Sequence, residues 1–347
     1  MVRRAHPDDN DALVALAGSC PMTGDLSLCV DRRPDFFALS RITGNPWRVG
    51  VIDGDSSDSG PVACIGVARR EVYLNGEPAQ LAYVGDLKVH PAHRRQGAGR
   101  ALLDWAVATG RELIGADGPM LCTVLAGNTA VDTLRAGFTP DVRRWATVRS
   151  HSISLLWRRR LPGTTLTVRL ADPTDAPAMT KLWQRLASGR QFAPVYPMVQ
   201  SPGLDYLLAH HPDGELAGFL GVWDQHALKQ MRVTGYSHRL SLARKAFNLA
   251  SPFFRVPPMP APGGELSYRT VVSPCAPDPQ TLRTLLLHAC RRLHGTCSFL
   301  TLGLDTRDPL TRALSGLLAQ PTDVDVLILG GPSKDDGRPA HFEIATV

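Results

Sequence analysis

Apolar residues in the first half of the chain fall into short runs of β character, at Trp47–Ile52, Pro61–Ala68 and Val72–Leu74. Asn75-Gly76 follows, a pair that tolerates the positive φ of a two-residue hairpin, so a meander of antiparallel strands is predicted. The returning strand runs from about Gln80 to Val89, and Pro91 forbids its continuation. Beyond it Ala98, Leu102, Trp105 and Ala106 share one helical stripe, and Met120–Leu125 reads as the next strand. The second half repeats this order. A helix runs through Ala178–Trp183, strands follow at Leu216–Trp223 and from about Glu265 to Val272, a helix carries Leu282, Leu285, Leu286 and Cys290, and a strand covers Ser298–Leu304. The pattern predicts an α/β fold (α+β mixed sheet) in two tandem domains, each a mostly antiparallel central sheet flanked by helices.

A repeated phrase supports the duplication. Val2-Arg3-Arg4-Ala5-His6-Pro7-Asp8-Asp9 is echoed by Val168-Arg169-Leu170-Ala171-Asp172-Pro173-Thr174-Asp175, a shared V-R-x-A-x-P-x-D, with Ala12 and Leu16 matched by Ala178 and Leu182. Each copy reads as a short strand entering a helix, where Asp caps free N–H groups and proline's missing N–H costs little. Leu161-Pro162-Gly163-Thr164-Thr165, after the basic run Arg158–Arg160, has linker chemistry. The domains are therefore placed at 1–160 and 166–347, with 161–165 as linker.

Composition narrows the class. At 347 residues the chain suits two domains of roughly 150 residues each, and 44 % hydrophobic with 20 % charged residues excludes a disordered or fibrous protein. The net charge of +6 divides evenly between the halves and 33 of the 38 basic residues are Arg, so neither half stands out as a nucleic-acid binder. Seven cysteines without a C-x-x-C pair indicate neither a disulfide framework nor a zinc site, and buried thiols are expected. The N-terminus turns acidic where a signal peptide requires an apolar run, and no stretch reaches the ~18 apolar residues of a membrane span, so a soluble cytoplasmic protein is expected.

The chemistry lies after Pro91. His90-Pro91-Ala92-His93-Arg94-Arg95-Gln96-Gly97-Ala98-Gly99-Arg100 joins a strand to a helix. Gly97 and Gly99 lack a Cβ, so a ligand can approach the backbone closely, and the free N–H groups of the helix start point outward at its positive end. Such a ring of donors suits a pyrophosphate, and Arg94, Arg95 and Arg100 add charge. The loop is not G-x-x-x-x-G-K-[ST], and it lacks the first glycine of G-x-G-x-x-G.

Leu87–Gly99, a strand ending in V-x-P before R-x-x-G-x-G, resembles the signature of the GCN5-related N-acetyltransferase (GNAT) superfamily, over roughly residues 1–155. The resemblance implies two tandem GNAT-like domains, acetyl-CoA or another acyl-CoA as co-substrate, and no metal. It places the pyrophosphate on Arg94, Arg95, Gln96, Gly97, Ala98, Gly99 and Arg100, and pantetheine on the main chain of Leu87 and Val89. Asn128 matches a residue that hydrogen-bonds near the cysteamine, with a plain helix cap as the alternative. Gly137-Phe138 matches the family's G-F. Thr133 stands where the family commonly has a proton-donating Tyr, which leaves the acid for the departing thiolate unassigned. Acyl transfer to an amine also needs the ammonium, of pKa about 10.4, to lose a proton. Asp86 and Tyr83 are the catalytic candidates, although strand alternation puts them on opposite faces, and Asp86 could simply pair with Lys88. His90 and His93 flank the loop and read as solvated.

The matching place in the second half reads Val272-Ser273-Pro274-Cys275-Ala276-Pro277-Asp278-Pro279, where three prolines remove three amide donors. A degenerate GNAT-like copy is expected there. The basic stretch from His226 to Arg255 reads as a solvated insertion or as a flap over the first site, and Trp223-Asp224-Gln225 is polar enough to line a pocket. An N-acyltransferase acting on a small-molecule amine follows, with no nucleic-acid or membrane partner, as a monomer with an internal pseudo-dimer or as a homodimer. The alternatives are a non-catalytic acyl-CoA sensor or scaffold, or the same fold with a longer acyl donor.

Overall fold

The structure is a computed structural model that describes residues 1–55, 60–129, 142–161, 163–198, 201–331 and 335–346. The first half contains β1 (Arg3–Arg4), α1 (Asn10–Gly18), β2 (Leu26–Asp31), α2 (Phe37–Thr43), β3 (Trp47–Asp53), β4 (Pro61–Leu74), β5 (Glu77–Val89), α3 (Ala98–Ile114), β6 (Met120–Leu125) and β7 (Val142–Ser154). The second contains β8 (Thr167–Leu170), α4 (Ala176–Ala187), β9 (Leu204–His210), β10 (Leu216–Trp223), β11 (Gln230–Tyr236), α5 (His238–Phe254), β12 (Tyr268–Cys275), α6 (Pro279–Leu293), β13 (Phe299–Asp305) and β14 (Ala319–Leu329).

Local chemistry explains several of these elements. Asn75 and Gly76 adopt φ of 53° and 89°, as the β4–β5 hairpin requires, and Val72–Leu74 continues the Pro61–Ala68 strand without a break. The two copies of V-R-x-A-x-P-x-D fold alike. Arg3 grips Asp9 through two bonds of 2.8 Å, and Arg169 grips Asp175 at 2.7 and 2.6 Å. In each copy the aspartate also accepts from the main chain of residue 6 or 172, closing a capping box. The Arg169 bond holds the Asp175 carboxyl down at about 2, well below its ordinary range.

All strands but β2 and β11 join one mixed sheet, in the order β1-β3-β4-β5-β6-β14-β7-β13-β12-β10-β9-β8. The β5–β6 and β12–β13 pairs are parallel, and the other pairs are antiparallel. The last strand of each half has crossed over: β14 lies between β6 and β7, and β7 in turn pairs with β13. The sequence reading holds no such exchange, because apolar periodicity identifies strands but not their neighbours. The cores merge accordingly, with Tyr83, Leu121 and Trp145 packed in one cluster with Phe192, Val326, Ile328 and Phe342. Outside this sheet β2 and β11 form a two-stranded ribbon, one strand from each half. Among the described residues no helix is long and apolar enough to cross a membrane.

Because main-chain pairing crosses between the halves, calorimetry should show one cooperative unfolding transition. Ile328→Ala, at a fully buried position, should lower the whole transition by about 2–5 kcal/mol without splitting it. Two resolved transitions would contradict the shared core.

Candidate active site

The site begins with a defect in β5. Cys64 pairs with Lys88 and Gly66 with Gly85, so Asp86 and Leu87 together oppose Ile65, and Asp86 takes φ of +55°. This is a β-bulge, which re-aims side chains and opens the ladder. On its other edge β5 pairs with β6 only through Ala82, Tyr83 and Val84, so the stretch 85–89, with Leu87 and Val89, leaves β6. The Val89 carbonyl accepts from Arg94 Nε at 3.2 Å and from Cys20 Sγ at 3.5 Å.

The glycine loop continues from that open edge. Pro91–His93 forms one 3-10 turn, then Arg95 and Gly97 adopt φ of +63° and +84°. A Cβ on Gly97 would meet nothing within 4 Å, so its left-handed conformation, not crowding, explains the glycine. Gly97 is also the N-cap of the 17-residue α3 and supplies no capping side chain. The amides of Arg95, Gln96, Gly97, Ala98 and Gly99 find no acceptor among the described residues. Arg94 and Arg95 are exposed, Arg100 pairs with Asp104 at 3.0 Å, and Gln96 donates to the Ala92 carbonyl at 3.4 Å. Asn128 is exposed in the turn after β6, and its amide donates to Leu125 O at 3.2 Å. His90 and His93 lie half-buried with rings 5.9 Å apart, His90 capping the Ala92 amide. Thr133 and Gly137-Phe138 lie outside the described residues.

Against the bulge lies a cavity of about 390 Å³, open mouth included, lined among others by Arg32, Trp47, Gly66, Tyr83, Asp86 and Thr346. Tyr83 and Asp86 thus share one cavity. Strand alternation, which would separate them, fails here because the bulge inserts one residue between the two faces. Gly85 completes the floor, since a Cβ there would come within 2.8 Å of the Tyr83 ring. The Tyr83 hydroxyl exchanges a hydrogen bond with Thr123 Oγ1 at 2.9 Å, and the Arg70 guanidinium sits 4.0 Å from its ring centre. Burial pushes the phenol up to about 12, although Arg70 opposes the rise. Asp86 accepts from Arg32 at 2.5 Å and from Lys88 at 2.6 Å. Burial alone would raise this carboxyl, but the two cations outweigh it and hold it well below the carboxylate range. The Lys88 bond is the pairing that the sequence reading offered as the alternative to a catalytic role, and Arg32 is added to it.

The second half supplies further groups, among them Lys229 from the stretch that the sequence offered as a solvated insertion or as a flap over the first site. Gln230 at the start of β11 pairs with Asp31 at the end of β2, so the ribbon delivers Arg32 and Lys229 side by side. Lys229 is buried, its Nζ 3.5 Å from the Ile344 carbonyl, and burial together with Arg32 lowers it to about 7. Thr346 accepts from Arg70 at 3.1 Å on its hydroxyl. The basic stretch is therefore divided: β11 is tied to the first half through the ribbon, whereas α5 leaves Leu242, Leu249 and Phe253 exposed. Trp223 is core, its Nε1 donating to Pro202 O at 3.0 Å, and Gln225 ties Thr270 to the Ala345 carbonyl.

The second half keeps the bulge and lacks the cradle. Ser273, on β12, has φ of +46° beside a register shift against β10, as Asp86 has on β5. Its amide is taken by the buried Glu343 carboxylate at 2.8 Å. Only residues 276–278 separate β12 from α6, where residues 90–97 separate β5 from α3. The Asp278 carboxylate caps α6 at 2.8 and 2.9 Å, occupying the place an anion would need.

The chain as a whole resembles known proteins. Residues 28–138 match the family described as the Acetyltransferase (GNAT) family. The chain is 27 % identical over 342 residues to the acetyl transferase GW6a of Oryza sativa subsp. japonica, covering 90 % of this chain and 77 % of that protein. The crystal structure of Saccharomyces cerevisiae N-myristoyltransferase with bound myristoyl-CoA superposes with a TM-score of 0.64 at 11 % identity, over 96 % of this chain and 80 % of that one. A GCN5-related N-acetyltransferase from Anabaena variabilis gives 0.52 at 12 % identity, over 94 % and 72 %. Residues 28–138 thus match a GNAT domain, and the whole chain shares the fold of N-myristoyltransferase, a tandem of two GNAT-like halves.

Lys229 provides a pH test of the site's electrostatics. Its pKa is lower folded than unfolded, so the unfolded chain binds the extra proton and burying Lys229 costs stability most fully below about pH 7. Lys229→Met should therefore stabilise the protein by about 1–4 kcal/mol at pH 6, with the gain fading as pH rises toward 10. Thermal melts across that range check it, and a pH-independent difference would contradict the buried, lowered ammonium.

Proposed function

We propose that this chain is an acyl-CoA-dependent N-acyltransferase, with acetyl-CoA as the ordinary donor, and that transfer takes place in the first half by direct attack of an amine on the thioester. The observation that carries the reading is the run of unpaired amides from Arg95 to Gly99 at the positive end of α3, continuous with the open edge of β5. A diphosphate satisfies those donors without rearrangement. Pantetheine would extend along residues 87–89 through main-chain bonds, with Asn128 on the far side of the opening and Arg94 and Arg95 free to add charge. This brings the thioester to the bulge, next to the cavity from which the amine arrives.

The reaction then needs a neutral amine. Arg32 and Asp86 line the cavity, Lys88 is bonded to Asp86 and Lys229 stands beside Arg32, so an alkylammonium there meets more positive than negative charge. The acceptor therefore sheds its proton to water near neutral pH, and the site itself favours the nucleophilic form. Its nitrogen bonds to the carbonyl carbon while main-chain donors near Val89 polarise the oxygen. The C–S bond breaks, and the CoA thiolate takes up the proton that the amide nitrogen loses. Asp86 positions Arg32 and Lys88 throughout, and Tyr83 forms the wall.

The same tandem fold holds myristoyl-CoA in the yeast enzyme, so donor length is the point on which a second reading turns. Competition between acetyl-CoA and octanoyl-CoA separates the two. Gly97→Asp, which puts a β-carbon and a negative charge where the diphosphate lies, should abolish acetyl-CoA binding by calorimetry, a loss of at least about 100-fold. Unchanged affinity would remove the loop from the site. Free-thiol release with an amine panel separates an enzyme from a sensor, which releases none above background.

A further inference from the structure

We propose that α5 is a membrane-surface helix whose outer face lies on an anionic lipid bilayer. The proposal is independent of the acyltransferase reading, and it adds a lipid partner that the sequence reading, finding no spanning segment, left out. α5 carries two stripes of the same helical spacing. Leu240, Arg244, Phe247 and Ser251 turn inward, half-buried or buried, toward the proline-rich strap that follows the helix. Arg244 and Tyr236 both donate to the Pro260 carbonyl, at 3.4 and 2.8 Å, and Asn248 makes two bonds to the Met259 main chain, at 2.9 and 2.8 Å. Leu242, Ala246, Leu249 and Phe253 repeat that spacing on the opposite side, where all four are exposed. Leu242 is 55 % exposed, Leu249 80 % and Phe253 85 %, values for an apolar stripe that no described part of the chain covers. Single exposed apolar residues are ordinary, but a row of them at helical spacing marks an interaction surface.

Charge identifies the occupant. No Asp or Glu occurs from Gln225 to Gly264. At about 100° per residue, Arg239 flanks the outer stripe on one side and His238 and Lys245 flank it on the other, while Arg255 caps the helix end. Arg239, Lys245 and Arg255 are exposed and make no ion pair among the described residues. An apolar ridge between cationic flanks suits a surface that offers hydrocarbon beneath a layer of negative charge, which is what an anionic bilayer presents. A second copy meeting this one helix to helix would set cation against cation with no carboxylate between them. A flat surface meets the ridge along the whole of its 17 residues, about 25 Å, whereas a protein would have to bring both a fitted groove and an acidic rim. No described helix is long and apolar enough to cross a membrane, so α5 lies in the plane of the headgroups.

Co-sedimentation of the full-length protein with lipid vesicles tests this. It should bind phosphatidylcholine vesicles containing about one-third phosphatidylserine at least about ten-fold more tightly than phosphatidylcholine alone, and the difference should shrink as salt rises. Leu249→Ser with Phe253→Ser removes the ridge and should weaken that binding at least about ten-fold. Arg239→Gln with Lys245→Gln keeps the ridge and should narrow the preference for anionic vesicles about ten-fold. All four positions are exposed, so both double variants should melt at the temperature of the unmodified protein. No binding to anionic vesicles, equal binding to neutral ones, or binding that survives loss of the ridge would overturn the proposal. A concentration-dependent dimer abolished by Leu249→Ser with Phe253→Ser, or capture of an acidic amphipathic peptide without vesicle binding, would give the face to a protein and overturn the bilayer as its occupant.

Discussion

The crossing of β7 and β14 is the constraint from which the rest of the architecture follows. Each of these strands completes the other half's part of the sheet, so neither half can close its hydrophobic face alone. With the sheet shared, the last described residues of the chain return across it. Glu343 reaches the Ser273 amide in one half, and Thr346, three positions later, lines the cavity of the other. The candidate site is therefore built from a first-half strand and loop and a second-half ribbon strand and tail.

Duplication with divergence explains the asymmetry between the two bulges. Both halves retain the left-handed residue that breaks the ladder, Asp86 in one and Ser273 in the other. In the first half the helix that follows starts with glycine and open amides. In the second a short proline-rich connection and the Asp278 cap neutralise the same helix end from within the chain. A helix dipole that already holds a carboxylate has nothing left for a phosphate. The second copy has kept the bulge and closed its helix start from within.

Much of this was legible in the sequence where the chemistry is local. Asn75-Gly76 marked a hairpin, V-R-x-A-x-P-x-D announced a strand-to-helix corner held by its own Arg–Asp grip, and R-x-x-G-x-G announced a turn from strand to helix with a left-handed glycine. Period-two reasoning misplaced Tyr83 relative to Asp86 because a one-residue bulge leaves no mark in apolar alternation. Lys229 fell in a basic run that read as a solvated insertion or as a flap over the first site; its burial depends on pairing Gln230 with Asp31, about 200 residues earlier in the chain, and a contact of such separation has no signature in a single sequence. The exchange of strands was hidden for the same reason.

The β2–β11 ribbon stands apart from the twelve-stranded sheet and is held by one strand from each half. A lone two-stranded pair contributes little to the stability of a domain, while its ends bring Arg32 to the cavity with Lys229 beside it. The sheet that bears the glycine loop and the ribbon that brings Arg32 to the cavity are thus separate pieces of the fold. With Cys29, Asp31, Gln230 and Val233 buried along it, the ribbon is anchored in both halves, so Arg32 keeps its position only while the halves stay joined.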